Sequence, residues 1–324
     1  MTEQNPYITV LMPAYNAANY IAAAIESVLL QTFTNFEFII INDGSTDNTR
    51  NIIAQFNDQR LIIINQENAG ISQTLNKGLK IAKGRYIARF DADDICYPER
   101  LQKQFFFLES NPDYVIVGSD AEYISESGNH LCFFKSQAHA HIEIIKNIYK
   151  HCPFTHSSVM YKKEAVEKCG GYNINAHTFE DYLLWMQLSS YGKFANLNEP
   201  LVKVRFSVAS ITIDERWRGK RFRCLKQNII RNGSVTTEQG EEIQSIINRQ
   251  NTVKIKTGAY HALCSKKFLV NNHQPSKARI HIRKAILIHP LRMDNYLLLL
   301  LSFAPEKLLQ WIYQNKIKMV KQIY

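Results

Sequence analysis

KIAKGRYIARFDAD, residues Lys80–Asp93, decides the fold. Gly84 separates a helix-compatible segment from the apolar run Tyr86–Phe90, which delivers Asp91, Asp93 and Asp94 at its carboxyl end. A strand tip is where an open α/β sheet binds its ligand. Carboxylates gathered there suit a hard cation such as Mg²⁺ or Mn²⁺, which shares its oxygen ligands between one or two side chains and a substrate phosphate. A lone Asp-x-Asp also arises by chance as a solvated turn closing a strand. The rest of the chain has to decide between the two.

Upstream, apolar strands alternate with amphipathic segments, the pattern of β-α units and a largely parallel sheet. The spacing predicts strands over Tyr7–Met12, Phe36–Ile41, Leu61–Ile64 and Tyr86–Phe90. It predicts helices over Ala18–Leu30 and Ser72–Ala82, and one starting near Ser45 and Asp47. Phe38-Ile39-Ile40-Ile41 and Leu61-Ile62-Ile63-Ile64 are continuously apolar, as strands buried on both faces must be.

Two strand tips are polar. The first ends in Pro13-Ala14-Tyr15-Asn16 and the second in Asn42-Asp43-Gly44-Ser45-Thr46-Asp47. Gly44 permits a tight turn and Ser45 or Thr46 can cap the next helix, leaving Asp43 free to meet a base N–H or ribose hydroxyls. Asp47 reads as a helix cap. Neither a Gly-x-Gly-x-x-Gly nor a Gly-x-x-x-x-Gly-Lys-Ser/Thr is present. Without such a loop to cradle phosphates, a metal on Asp91 and Asp93 is the remaining way to neutralise a diphosphate.

Five motifs in order resemble the family 2 glycosyltransferases of the GT-A fold. They are VLMPAYN (Val10–Asn16), INDGSTDNT (Ile41–Thr49), QENAGISQTLNKGL (Gln66–Leu79), AKGRYIARFDADD (Ala82–Asp94) and FEDYLLWMQL (Phe179–Leu188), within about residues 7–212. The resemblance implies a Rossmann-like, largely parallel sheet flanked by helices, followed by a helical extension. It implies that Pro13, Ala14, Tyr15 and Asp43, with Asn16 and Asn68 beside them, line the nucleoside pocket. Asp91, Ala92 and Asp93 form the diphosphate site, with Asp91 and Asp93 as ligands of Mn²⁺ or Mg²⁺. Asp181 matches the catalytic base, and Glu180 positions its neighbour or an acceptor hydroxyl; the first turn of an amphipathic helix would hold such acids for its dipole alone. His156 matches a position on the acceptor side, although a hydrogen-bonded structural histidine fits it equally. Trp185 reads as core.

Three departures from the family pattern follow. Many members carry Arg before the Asn of the third motif; here Leu75 precedes Asn76, so Lys77 or Arg89 must replace that diphosphate contact. Many continue with Tyr-Arg-x-His, whose His approaches the metal; Val204-Arg205-Phe206-Ser207 puts Ser there. Losing both helpers predicts a strict dependence on metal. The Gln-x-x-Arg-Trp signature and membrane helices of processive synthases are absent, which argues for transfer of a single sugar.

With 324 residues, 45% of them hydrophobic, the chain can bury one large domain plus an appendage. The expected division is a catalytic domain over 1–215 (1–95 nucleotide-binding, 96–215 acceptor-binding) and a basic, mainly helical region over 216–324. From Arg216 onward 21 Lys or Arg face 5 Asp or Glu, so the net charge of +10 originates there. An amphipathic helix over Tyr296–Val320, with Trp311 and Tyr313 opposite its Lys residues, suits an anionic membrane surface; packing on the catalytic domain fits as well. No recognised motif accompanies the charge, which disfavours nucleic acid. Apolar runs such as Leu297–Leu301 fall far short of the ~20 residues of a bilayer span. The six cysteines form no Cys-x-x-Cys pair, and MTEQNPYITVLMP lacks a basic run before an apolar one. A cytoplasmic setting, extending to the inner face of the plasma membrane, is expected.

The resulting expectation is an inverting, metal-dependent, hexosyltransferase-like enzyme. It would move one sugar from a nucleotide-diphosphate sugar, UDP-sugar favoured, to a glycan or lipid-linked acceptor in capsule, O-antigen or exopolysaccharide assembly. The alternatives are a sugar-phosphate nucleotidyltransferase, which needs a Gly-rich basic first loop where this chain has PAYNAAN, and a non-catalytic nucleotide-sugar or glycan-binding module. Sequence leaves the oligomeric state open.

Overall fold

The computed structural model describes residues 5–208, 210, 218–250, 253–270 and 274–309. β1 (Ile8–Ala14), β2 (Phe36–Asp43), β3 (Leu61–Gln66) and β4 (Tyr86–Arg89) alternate with α1 (Ile21–Leu29), α2 (Thr49–Ile53) and α3 (Ile71–Ile81). β5 (Ile95–Cys96), α4 (Arg100–Ser110), β6 (Tyr114–Ile124), β7 (His130–Phe134), α5 (His141–Asn147), β8 (Met160–Lys162), α6 (Lys163–Lys168), α7 (Glu180–Leu188) and β9 (Lys193–Arg205) follow. Then come α8 (Gly219–Asn232), α9 (Thr237–Gln250), α10 (Val253–Val270), α11 (Pro275–Ile288) and α12 (Met293–Leu301).

The sheet runs β3-β2-β1-β4-β8-β6-β9-β5, with β7 beside β6. β1 to β4 are mutually parallel in the order 3-2-1-4, and β8 pairs antiparallel to both β4 and β6. All eight residues of β2 are buried, the mark of a strand covered on both faces, whereas edge strand β3 alternates in exposure. The four strands expected from sequence are present, each shifted by at most two residues at an end. The second helix starts later than expected, at Thr49, because Asp47 accepts the Thr49 N–H at 3.0 Å and ends the loop there. Asp47 is thus not the N-cap expected of it, a place that Asn48 takes; its second oxygen accepts the Ala18 N–H at 3.0 Å and ties this turn to the loop after β1.

Where the parallel strands give way to β8, a buried arginine satisfies the exposed carbonyls. Arg100 Nη2 donates to Arg89 O (2.7 Å) and Val159 O (3.1 Å), and its Nε donates to Gln104 Oε1 (3.1 Å). Gln104 Nε2 in turn donates to Ser158 O at 2.7 Å. Val159 O also accepts the Arg89 N–H at 3.1 Å, so backbone and side-chain donors together fix the tip of β4.

The chain divides into two compact units. The first comprises Met1–Glu122, Phe133–Arg205 and Phe222–Gln244; the second comprises Tyr123–Cys132, Phe206–Arg221 and Ser245–Tyr324. The second has its own core, in which Tyr260, Cys264, Phe268 and Leu269 of α10 meet Ala278 and Ile282 of α11. Among the described residues no helix is long and apolar enough to cross a membrane. The expected amphipathic helix over Tyr296–Val320 is interrupted where α12 ends at Leu301, and its residues 310–320, with Trp311 and Tyr313, lie outside the described residues.

Candidate active site

β4 stops at Arg89, and the chain turns through Asp91, Ala92, Asp93 and Asp94 before β5. One carboxylate oxygen of each of the three aspartates lies within 4.8 Å of the others. The Asp91 N–H donates to Ser157 Oγ (3.1 Å), while Asp94 Oδ1 accepts the Arg205 N–H (2.8 Å) and Asp93 O accepts Arg205 Nε (2.9 Å). Burial and the charge of Asp91 push Asp93 up to about 6, and burial with the charges of Asp93 and Asp91 pushes Asp94 well above the carboxylate range. Asp94 Oδ2 is buried and has no hydrogen-bond partner. Three carboxylates that oppose one another's ionisation, one with an orphaned oxygen, fit a divalent cation, whose charge would reverse those shifts.

Beneath the cluster lies Arg89, 1% exposed, with Nη1 paired to Asp91 Oδ2. Burial opposes its charge, but Asp91 beside it holds its pKa above the ordinary arginine range. α7 brings a second acid pair to the same region. Glu180 is buried with Oε2 unpartnered, and it is pushed up to about 8 by burial and by Asp181, with Arg89 lowering it and Asp91 raising it further. Asp181 Oδ1 accepts the Tyr182 N–H at 2.6 Å, and Cys152 Sγ lies 3.9 Å from Oδ2. Thr178, two residues before Glu180, has φ +72°, a left-handed conformation that a β-branched residue rarely adopts. Strain of this kind is held at functional turns by surrounding structure.

Asn76 on α3 anchors the segment that precedes α7. Its Nδ2 donates to Tyr172 O and its Oδ1 accepts the Tyr172 N–H, both at 2.8 Å. Gly171, at φ +79°, leaves the room this needs, since a Cβ there would lie 2.5 Å from Asn76 Oδ1. Tyr172 Oη meets His156 Nε2 at 3.0 Å and Tyr161 Oη at 3.3 Å. Burial, aided by Arg89, holds His156 well below the usual histidine range, so the imidazole is neutral.

A family model described as glycosyl transferase family 2 matches residues 9–170. An uncharacterized glycosyltransferase of Methanocaldococcus jannaschii is 33% identical over 239 residues, spanning 68% of this chain and 82% of that protein. The chain belongs to glycosyl transferase family 2. Two solved structures are similar to this family 2 chain in fold. S. aureus TarS in complex with UDP-GlcNAc superposes with a TM-score of 0.53 at 16% identity, over 87% of this chain and 89% of that one. The mannosyltransferase PcManGT of Pyrobaculum calidifontis, in complex with GDP-Man and Mn²⁺, gives 0.52 at 18%, over 93% and 86%. The expected GT-A fold and the family are both borne out.

In this glycosyltransferase the residues expected from sequence stand as follows. Tyr15 is exposed beside half-buried Pro13 and buried Ala14, at the tip of β1. Asn16, at φ +49°, accepts the Thr46 N–H at 2.8 Å and so ties the first two loops together. Asp43 is not free, which corrects one expectation: it accepts Gln66 Nε2 (2.6 Å), Ala69 N–H (2.8 Å) and Gly70 N–H (2.9 Å). The reason is Gly44, whose turn brings the loop after β3 so close that a Cβ would lie 2.6 Å from Asn68 N. Asn68 Nδ2 donates to Asp43 O (3.0 Å). A second correction concerns Arg89, which is enclosed under Asp91 and not open to a diphosphate. Lys77 is exposed on α3, Ala92 is buried between its neighbours, and Trp185 is core. Ser207, in the second unit, donates its N–H to Ser210 Oγ at 3.0 Å. The sequence placed Asp94 beside Asp91 and Asp93 without giving it a ligand role, and it assigned no role to Ser157, Tyr172 or Arg205. The Asp-Asp doublet was the one available signal, because the others act through backbone groups or across more than sixty residues of sequence.

Proposed function

We propose that this glycosyltransferase is an inverting, metal-dependent, hexosyltransferase-like enzyme. It moves one sugar from a nucleotide-diphosphate sugar to a glycan or lipid-linked acceptor in cell-surface polysaccharide assembly. The observation that carries the reading is geometric: one carboxylate oxygen each of Asp91, Asp93 and Asp94 lies within 4.8 Å of the others at the end of β4, a set of hard oxygen ligands suited to a divalent cation and a phosphate. The nucleotide sugars bound to TarS and PcManGT, and the Mn²⁺ of the latter, support a donor and cation of this kind; UDP-GlcNAc in TarS favours a UDP-sugar.

In this reading residues 1–95 bind the nucleotide, residues 96–215 face the acceptor, and the basic region 216–324 meets an anionic membrane surface on the cytoplasmic side. Exposed Tyr15 stacks on the base, with Pro13, Ala14, Asn16 and Asn68 around it. A carboxylate offers about four acceptor positions, so Asp43 keeps one for the nucleoside beyond the three donors it already holds. Asp91 and Asp93, with Asp94 behind them, would hold Mn²⁺ or Mg²⁺, which supplies Lewis-acid neutralisation of the diphosphate. Arg89 holds Asp91 in place by an ion pair. The acceptor oxygen bonds to the anomeric carbon as its proton passes to Asp181, and the bond to phosphate breaks with its electron pair on the departing nucleoside diphosphate. Attack from the opposite face inverts the centre. Glu180, protonated at neutral pH, donates a hydrogen bond to an acceptor hydroxyl from a position that excludes water, while neutral His156 braces Tyr172 on the acceptor side.

The test is turnover of UDP-, GDP- and dTDP-sugars by purified protein with Mn²⁺, with the product's anomeric configuration read by NMR. Asp181→Asn should reduce kcat by roughly 10²–10⁴-fold with donor affinity unchanged. Retained turnover in that variant refutes the assignment of the base, and binding without any glycosidic product refutes catalysis.

A further inference from the structure

The second unit carries an apolar surface that its own packing leaves uncovered. On α12 the leucines divide. Leu298, Leu299 and Leu301 pack against the unit's core, whereas Met293, Leu297 and Leu300 recur at i, i+4 and i+7 on another face. Leu287 at the end of α11, Leu291 in the connection to α12 and Phe303 just after α12 extend this surface. The six side chains are between 57% and 93% exposed. α11 meanwhile turns Ala278, Ile282 and Ala285 inward, so its own core contact is already made. Large apolar side chains concentrated in so short a stretch mark an interaction surface.

Charge identifies the partner. Across residues 275–309, Lys277, Arg279, Arg283, Lys284, Arg292 and Lys307 face only Asp294 and Glu306. Arg279 sits at the rim, its guanidinium 5.0 Å from the Phe303 ring centre and its Nη1 donating to Ser302 O at 2.8 Å. An apolar stripe with Arg279 at its edge, in a segment with this excess of positive charge, complements an anionic leaflet: acyl chains take the leucines and headgroup phosphates take the bases. A second copy of this chain would bring the same positive charge to the contact and be repelled.

We infer that α11 and α12 form an interfacial lipid-binding surface, with Met293, Leu297 and Leu300 entering the acyl boundary of an anionic leaflet. The inference deepens the membrane reading above and rests on it. The test uses the full chain with sucrose-loaded phosphatidylcholine vesicles, with and without phosphatidylglycerol. Wild-type protein should sediment with the anionic vesicles. Leu297→Glu combined with Leu300→Glu should lower the partition coefficient by roughly a hundredfold, two apolar side chains being lost from lipid. Both positions face solvent, so the melting temperature should not move. Leu297→Trp keeps the surface apolar and should add fluorescence that brominated lipids quench. Sedimentation of the double variant like wild type, or absence of that quenching, overturns the assignment of this surface. Failure of wild type to bind anionic vesicles overturns the membrane reading as well. A dimer in sedimentation velocity that the double variant dissociates, without vesicle binding by wild type, assigns the surface to a second copy instead. Donor-induced thermal shifts on the same proteins without vesicles report separately on the transferase reading.

Discussion

Glu180→Gln tests the electrostatics of the site without any substrate. Glu180 is buried and pushed up to about 8 from an ordinary value of 4.5 by burial and the charge of Asp181. A carboxyl whose folded pKa is raised binds its proton more tightly in the folded state. Its contribution to stability is therefore complete below the unfolded pKa and is lost as pH rises through the window from 4.5 to about 8. Each pH unit in that window removes up to about 1.4 kcal/mol. From pH 5 to pH 7 the loss is on the order of 2–3 kcal/mol, roughly 5–10 °C in melting temperature for a domain of this size. Glutamine copies the protonated form in shape and cannot ionise, so this part of the pH dependence should vanish. Its amide would also place a donor where Oε2 has no partner, lowering stability by about 1–3 kcal/mol at every pH. The diagnostic is the slope and not the offset. Thermal unfolding in EDTA between pH 5 and pH 8 should give a markedly flatter curve for the variant, while Asp93 titrates in both proteins. Parallel curves would refute the reasoning, because Glu180 would then ionise as an ordinary surface carboxyl does.

Two further predictions address the nucleotide side. Asp93→Asn should abolish the Mn²⁺-dependent thermal shift by a nucleotide sugar, a stabilisation of about 2.7 kcal/mol in wild type at a hundredfold excess over Kd, while leaving melting in EDTA close to wild type; an undiminished shift removes Asp93 from the metal site. Gly44→Ala should lower stability in urea unfolding by about 2 kcal/mol or more, since residue 44 has φ +72° and a Cβ would lie 2.6 Å from Asn68 N; a change below about 0.5 kcal/mol would show that the loop after β3 yields freely.

The strands and the acid tip of β4 were legible because each depends on local pattern: continuous apolar runs for β1 and β2, and an Asp-x-Asp placed where such a run ends. Family membership was legible because five motifs keep one order. The real state of Asp43 was not, since the donors that occupy it, Ala69 and Gly70, are backbone groups with no side-chain signature. Arg89 misled for a related reason. A basic residue beside two aspartates reads as a phosphate contact, but its position on a strand buried on both faces sends the side chain beneath the cluster. The division into units was hidden as well. The second takes in Tyr123–Cys132, the turn between β6 and β7, more than eighty residues before the basic tail begins.

The departure from the family pattern at Leu75 acquires a physical meaning around α3. Leu75, where many members carry Arg, is fully buried, and its neighbour Asn76 commits both ends of its amide to Tyr172. Position 75 therefore presents no cation, and exposed Lys77 is the basic side chain that this turn of the helix offers instead. The arginines nearest the acid cluster do not replace it: Arg89 is paired with Asp91, and Arg205 is bonded through its backbone N–H and Nε to Asp94 and Asp93. Both stabilise carboxylates in place, and three carboxylates so gathered still resist ionising together. In the proposed function, the positive charge for a departing diphosphate comes chiefly from a bound cation, with Lys77 the basic side chain left exposed on α3. A site arranged this way should show no residual transfer in a chelator, whereas one with an arginine at position 75 would retain some.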